Sequence, residues 1–490
     1  MQYKSFSILT TCLVIVFLST VPFFCYPSPV SASENITEID SYLVSAMERN
    51  NIPGIALAIT EGSQIIHSKG YGTAGNGLEV TADTPFFIGS ISKSFTSLAI
   101  MQLAEQGKLY LDDPVQTHLP WFRVSDTQAS KEITIRHLLQ HTSGLSETGF
   151  GFNYSPGASL ETRVRDLAHL RPNAPAGTRM QYFNAGYSTL GLIIETISGQ
   201  SFGEYIHDHI FVPLKMHNSF TDPLAAKAAD LSQGYTQIFM AAVPANQSFH
   251  HYDLPAGFIM SSANDMARYL MALSNGGELD NVRILKSENV DLVFTPNTAI
   301  NSQYGFGWFI SEQNKETKIT HGGDIERFHA DVMILPDRHL SFVLLINQNH
   351  LLKDLNEYGA IVEGLTALMT GNPAPKIGMT SIAFGWGLFV IWLLVIIMAI
   401  RNIMRLSQWR SRMQTWNFRN RLVDILKHVL WIGITIIAVT VVGPTLLYRS
   451  FNFNWFVAFL PEVAIIVGTL ILDDFAQIGL KIWMIEKSKH

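Results

Sequence analysis

The sequence predicts an α/β (α+β) chain: an antiparallel sheet flanked by helices, interrupted by an inserted helical region and followed by three transmembrane helices. Strand-like alternation occurs early and returns late, with a long stretch of helices and Pro/Gly-rich loops between. Helical patterns lie before the first strands and after the last, so one sheet covered by terminal helices accounts for the order. Beyond that closing helix come apolar stretches that are each long enough to cross a bilayer.

In chain order, Lys4 precedes an apolar run from about Phe6 to Phe24, and Val30-Ser-Ala32 offers small residues for cleavage. Residues 1–32 are therefore expected to be a signal peptide that exports the rest. Both cysteines, Cys12 and Cys25, lie in that segment, so a mature domain of residues 33–370 has neither a disulfide nor a thiolate metal site. Ile36 to Asn50 reads as a helix, and Gly54 to Thr60 with Gln64 to Gly70 as a strand pair around Glu61-Gly62-Ser63. Pro85 to Gly89 reads as a short strand, and Ile91 to Glu105 as a helix opened by Ser90. Four late strands are expected at Gly305 to Ser311, Lys315 to Thr320, His329 to Leu335 and Leu340 to Ile346, then a helix from about Leu352 to Met369. Gly371-Asn-Pro-Ala-Pro375 marks a linker over 371–380, and 381–490 forms the membrane domain.

The expected spans are Ser381 to Ile400, Val429 to Tyr448 and about Trp455 to Leu472. Arg401, Arg405, Arg410, Arg412, Arg419, Arg421 and Lys427 lie between the first two, and Lys481, Lys487 and Lys489 follow the third. The positive-inside bias puts both segments in the cytoplasm and the large domain outside, as a multi-pass membrane protein with an extracellular domain. Because the tail is basic while the whole chain carries a net charge of −6, the outer domain is strongly acidic. That repels polyanions, so nucleic acid is not an expected partner. Glu462 interrupts the third span; a carboxylate there usually faces protein or water, and it reads as a helix-packing residue ahead of a functional one. The Pro-rich break and the change of charge across it suggest separable modules.

Three motifs carry the chemistry: Ser90-Ile-Ser-Lys93, Tyr182-Phe-Asn184 and His321-Gly-Gly323. A Ser-x-x-Lys match alone is expected roughly once by chance in such a chain, so order and context give the set its weight. Lys93 lies one helical turn beyond Ser90, on the same face, where a lysine of lowered pKa can take the hydroxyl proton. Tyr182 can relay that proton to a leaving group, and Asn184 can orient the lysine or a substrate amide. His321-Gly-Gly323 ends an expected strand, where Gly322 and Gly323 leave room for a substrate backbone along the edge. The backbone N–H groups of Ser90 and Asp324 are the candidate oxyanion donors.

With Phe87-Ile-Gly-Ser-Ile-Ser-Lys-Ser-Phe95, Leu111-Asp-Asp-Pro-Val115, Ile135-Arg-His-Leu-Leu-Gln-His-Thr-Ser-Gly144, Tyr182-Phe-Asn-Ala-Gly-Tyr187 and Pro255-Ala-Gly-Phe258, the chain resembles class C β-lactamases, low-molecular-mass penicillin-binding proteins and related serine esterases over about residues 36–370. The resemblance implies the serine β-lactamase/DD-peptidase-like fold and an acyl-enzyme on Ser90, with Lys93 and Tyr182 as the acid/base pair and no cofactor or metal. β-Lactamases proper usually have Lys-Thr-Gly where this chain has His321-Gly-Gly323; a histidine binds carboxylate less reliably, which suits the peptidase and esterase branches better. Cell-wall peptides containing D-amino acids are the leading expected substrate, ahead of small esters or weak β-lactam hydrolysis. A receptor acylated once by a cell-wall or β-lactam ligand and signalling through the helices is the alternative of another class.

Blander readings apply elsewhere. His137 and His141 are spaced like zinc ligands, but Leu138 stands where a metalloprotease needs its Glu, so they read as core or helix-cap residues. Asp112-Asp113 before Pro114 reads as a turn and His250-His251 as a loop pair, and no Gly-x-Ser-x-Gly elbow is present. Asn35, Asn153 and Asn246 begin glycosylation sequons that matter only in a glycosylating host.

Overall fold

The computed structural model describes residues 35–147, 155, 157–313, 315–442 and 453–487. The expected signal peptide and the Asn153 sequon lie outside them. The strands that build the site region are β1 (Gly54–Glu61), β2 (Gln64–Gly75), β3 (Leu78–Glu79), β4 (Tyr235–Ile238), β5 (Ala241–Pro244), β6 (Phe309–Gln313), β7 (Glu316–Ile325), β8 (Phe328–Leu335), β9 (Leu340–Ile346) and β10 (Gln348–Asn349). They form a seven-stranded sheet in the order β6-β7-β8-β9-β1-β2-β3, antiparallel at every pairing. Early and late strands meet at β1 and β9, where Leu57 faces Leu344. A smaller sheet, β10-β4-β5, stands beside it.

Alternation along β1 and β9 sorts the core onto two faces, because successive side chains point to opposite sides. Ile55, Leu57, Ile59, Phe342, Leu344 and Ile346 pack on α1 (Ile36–Asn50), and a helix near the end of the domain completes that layer. Ala56, Ala58, Val343 and Leu345 face the larger cluster built on the central helix α2 (Ser92–Glu105). That helix is almost wholly buried, its Ser and Thr side chains included, because it lies between sheet and helical insert. The insert contributes α3 (Asn184–Ser198), and α4 (Ala263–Ser274) returns the chain to the sheet. The terminal helix α5 (Gly359–Met369) follows a short helical stretch with a π-helical turn at Asp354–Tyr358.

Two boundaries differ from the sequence reading in ways that matter. The strand expected to end at Thr320 runs on to Ile325, so His321-Gly-Gly323 sits inside β7, held by pairing to Ala330–Val332 of β8. The strand expected from Gly305 starts at Phe309, because Gly305 and Gly307 are packed against backbone of Val293 and of Lys93–Ser94 in a loop.

Three helices are long and apolar enough to span a membrane: α6 (Thr380–Met404), α7 (Phe418–Ile437, continuing to Val441) and α8 (Pro461–Lys487). The second begins about ten residues earlier than its apolar run suggests, taking in Arg419, Arg421 and Asp424. The third is shifted the other way. Proline, which lacks a backbone N–H and suits a first helical position, separates Phe453–Phe459 from α8 at Pro461. Inside the bundle Lys481 Nζ donates to Asp424 at 2.7 Å, and His428 Nδ1 pairs with Asp474 at 2.6 Å. The linker is no free tether, since Ile377 is buried against the α1–α5 layer.

Candidate active site

Phe86–Phe87 pairs with Met260–Ser261, and the chain leaves this two-residue strand through Gly89 at φ +53°. The reversal puts Ser90 in a 3-10 turn, Gly89–Ile91, immediately before α2 rather than in the helix proper. Ser92 Oγ ties that turn down by donating to the Gly89 carbonyl at 2.8 Å and accepting from the Ile259 N–H at 3.1 Å. Lys93, completely buried one turn on, donates to Ser90 Oγ at 3.0 Å and to the Ala256 carbonyl at 2.6 Å. Thr96 donates to the neighbouring Pro255 carbonyl at 2.7 Å, so the Pro255-Ala-Gly-Phe stretch serves as a backbone rest for the lysine helix.

Burial pushes the Lys93 pKa down to about 7, against the opposing pull of the Asp253 and Glu147 carboxylates. Near neutrality a substantial fraction of Lys93 is thus a free amine able to accept the Ser90 proton. Tyr182 lies over the same lysine, its ring centroid 4.7 Å from Nζ, and its phenol bonds Ser90. Burial holds that phenol well above its ordinary pKa, with the Ser90 hydrogen bond opposing, so Tyr182 is protonated in the resting site.

The sequence reading left His141 without a role beyond core or cap, and the structure gives it one. Its carbonyl accepts from the Gln181 N–H at 2.7 Å and its Nδ1 accepts from the Phe183 N–H at 3.1 Å. It therefore grips the backbone on both sides of Tyr182, and its ring lies 4.3 Å from the Tyr182 ring. His137 is a helix cap, its ring accepting the Thr134 N–H in a capping box. Each of the two histidines thus spends its Nδ1 on a backbone N–H. Asn184 opens α3 and gives its backbone N–H to Glu147 at 2.7 Å; it makes no hydrogen bond to Lys93 among the described residues. Glu147, buried and held above the usual carboxylate range by desolvation, was also not singled out from the sequence.

On the opposite wall, Gly323 of β7 lies against the Ser90 turn. A Cβ at Gly323 would stand 2.0 Å from the Ile88 carbonyl oxygen and 3.2 Å from the Ser90 nitrogen, and one at Gly89 would stand 2.6 Å from the Asp324 nitrogen. Two glycines pressed together thus bring the backbone nitrogens of Ser90 and Asp324 to one place, the arrangement an oxyanion needs. Gly322 is under no such constraint, its nearest neighbour being Asp331 Oδ1 at 3.4 Å.

The Nδ1–H of His321 donates to the Gly322 carbonyl at 2.6 Å, which leaves Nε2 to accept from the Tyr304 hydroxyl at 3.2 Å. Burial, reinforced by nearby Lys93, pulls its pKa down to about 3. His321 is therefore a neutral imidazole, in keeping with weak carboxylate binding at this position. Just beyond, His329 bridges Asp324 and Asp331, 2.7 Å from each. Burial disfavours its charge, but the two carboxylates more than offset this and raise its pKa well above the ordinary value. Asp324, His329 and Asp354 offer ligand atoms within 4.8 Å of one another, yet both His329 nitrogens are already engaged and have no lone pair to give a metal.

The Beta-lactamase family model matches residues 39–364, which span both walls of this site. The chain belongs to the Beta-lactamase family. Among its relatives in that family, Protein flp of Staphylococcus aureus (strain MW2) is 29% identical over 321 residues, 64% of this chain and 63% of that protein. The chain thus matches less than two thirds of the length of that relative. Penicillin-binding protein 4 of Amycolatopsis lactamdurans is 28% identical over 311 residues, 61% of this chain and 81% of that protein. Of solved structures, the octameric penicillin-binding protein homologue from Pyrococcus abyssi superposes with a TM-score of 0.60 at 28% identity, covering 70% of this chain and 79% of that one. EstCE1, a hydrolase with promiscuous acyltransferase activity, shares the fold at a TM-score of 0.57 and 21% identity, covering 64% of this chain and 94% of that one.

Proposed function

We propose that this member of the Beta-lactamase family is an exported, membrane-tethered serine hydrolase that works through an acyl-enzyme on Ser90. The observation that carries the reading is the buried Lys93 amine 3.0 Å from the Ser90 hydroxyl, with its pKa lowered to about 7. Lys93 takes the Ser90 proton as Oγ attacks a carbonyl carbon, and the Ser90 and Asp324 N–H groups receive the developing oxyanion. The Tyr182 phenol passes a proton to the departing amine or alkoxide and takes one back as water hydrolyses the ester. Asn184, with no bond to Lys93, is left to orient the substrate amide.

Cell-wall peptides containing D-amino acids are the leading substrate, and the name of the Amycolatopsis relative, a penicillin-binding protein, supports penicillin as a probe of the site. A neutral His321 supplies no cation for a terminal carboxylate, and that observation favours a second reading in which small esters are turned over. The bundle supports the outside placement of the site. The first turns of α6 and α8 carry contacts to the catalytic domain, through Ser381 and Glu462, whereas Arg401 to Lys427 lie at the far end.

The test is incubation of the full chain with a fluorophosphonate and, separately, with a penicillin, followed by mapping of the adduct and measurement of ester and D-amino acid amide turnover. One adduct on Ser90, lost with hydrolysis in Ser90→Ala, is expected. Full turnover by Ser90→Ala would sink the mechanism, and an adduct that never clears would favour the receptor alternative.

A further inference from the structure

Glu462 stands in the first turn of α8, and its side chain is 1% exposed. It does not face lipid. Oε1 accepts the backbone N–H of Phe239, at the turn between β4 and β5, at 2.8 Å. Oε2 lies 3.2 Å from His350 Nε2. Because His350 Nδ1 accepts the Leu352 N–H at 3.3 Å, the ring proton is on Nε2 and is donated to Glu462.

From His350 the connection runs to the site in two further bonds. The His350 N–H donates to Asn349 Oδ1 at 2.7 Å, and Asn349 Nδ2 donates to Asp324 Oδ1 at 3.0 Å and to the Ile325 carbonyl at 2.9 Å. Asp324 supplies the backbone N–H opposite Ser90. A second clip acts on the same hairpin, since Arg327, in the turn joining β7 to β8, donates from Nη1 to the Ala458 carbonyl of the segment before α8 at 3.2 Å. The β4–β5 turn is fitted to the bundle as closely: a Cβ at Gly385 of α6 would stand 2.2 Å from the Phe239 carbonyl oxygen, and the Phe239 ring packs on Phe389 and Trp392.

We propose that Glu462 is a positioning residue for catalysis, holding the oxyanion strand at Asp324 through His350 and Asn349, so that the membrane bundle is a working support of the active site rather than a detachable anchor. Tertiary packing here replaces the separable modules that the linker composition suggested. The geometry explains why a carboxylate is kept at the head of an apolar helix. It satisfies a buried backbone N–H and an imidazole N–H that would otherwise be left without acceptors.

The proposal rests on the acyl-enzyme reading, and the experiment separates the two. Full-length protein in lipid nanodiscs is titrated with a fluorophosphonate and assayed for single-turnover acylation by p-nitrophenyl acetate. Failure of the wild type to label at all would overturn the acyl-enzyme reading, and this proposal with it. Given a labelling wild type, the near-isosteric Glu462→Gln cannot accept from both His350 and Phe239 in the present pose. Its acylation rate constant is expected to fall by about tenfold, a fraction of the cost of misplacing an oxyanion donor by 1 Å. Its saturation constant and its stoichiometry of one label per chain should stay unchanged. A merely structural role would instead lower the stoichiometry and leave the rate constant of the surviving fraction intact. Asn349→Ala should fall similarly, and the double variant no further than the worse single. Additive losses, or an unchanged rate in Glu462→Gln, would overturn the proposal. The lipid-facing Leu472→Ala, 69% exposed on the same helix, serves as the control.

Discussion

Gly323→Ala probes the oxyanion wall most sharply, because the size of the disturbance can be read from the structure. The added Cβ would stand 2.0 Å from the Ile88 carbonyl oxygen, a backbone atom that cannot rotate away. Restoring an ordinary contact of 3.4 Å requires β7 and the Ser90 turn to separate by more than about 1 Å, and the Ser90 and Asp324 nitrogens move apart with them. A displacement of about 1 Å at a catalytic group costs roughly a hundredfold, the lower end of the cost of losing one oxyanion donor. The expected result is therefore an acylation rate constant down by about a hundredfold in stopped-flow single-turnover measurements with a chromogenic ester. Gly322→Ala, one residue away, meets only Asp331 Oδ1 at 3.4 Å and should retain its rate within about threefold. Equal rates for Gly323→Ala and wild type, or equal losses in both variants, would show that the close approach of these glycines does not set the oxyanion geometry.

Lys93 supplies the pH dependence. Its folded pKa of about 7 lies below the ordinary lysine value of 10.5, so the amine becomes available as pH rises through 7, and acylation should increase over that interval and then level off. Lys93→Arg, permanently charged, should acylate at least about a hundredfold more slowly at every pH, and a flat wild-type profile would remove Lys93 as base. Between pH 7 and 10.5 the unfolded chain binds the extra proton, so this group also makes stability rise with pH in that window, measurable by urea unfolding. His321, neutral down to about pH 3, predicts parallel pH profiles for a carboxylate-bearing and a neutral ester. An affinity loss confined to the carboxylate substrate above about pH 6.5 would instead show that His321 is charged and binds the carboxylate.

Some of this was fixed by local chemistry and some only by packing. Residues close in sequence make the candidate nucleophile legible: three positions separate Ser90 from Lys93, helical spacing puts them on one face, and no distant contact is needed to infer their meeting. The β1–β2 pair and the apolar spans are equally local, since alternation and length alone specify them. The edges failed where a proline or a glycine acted through its surroundings, as at Pro461 and in the Gly305–Gly307 loop. What sequence could not show is how groups far apart perturb one another. The Lys93 pKa depends on burial under Tyr182 and α3, the neutrality of His321 on its own burial and on nearby Lys93, and the setting of Tyr182 on a histidine forty residues upstream that looks like a helix cap. Glu462 is the extreme case. A carboxylate in an apolar helix announces only that it needs a partner, and the fold alone decides that its partners are Phe239 and His350, because a buried charge is tolerable only where donors from other elements converge on it.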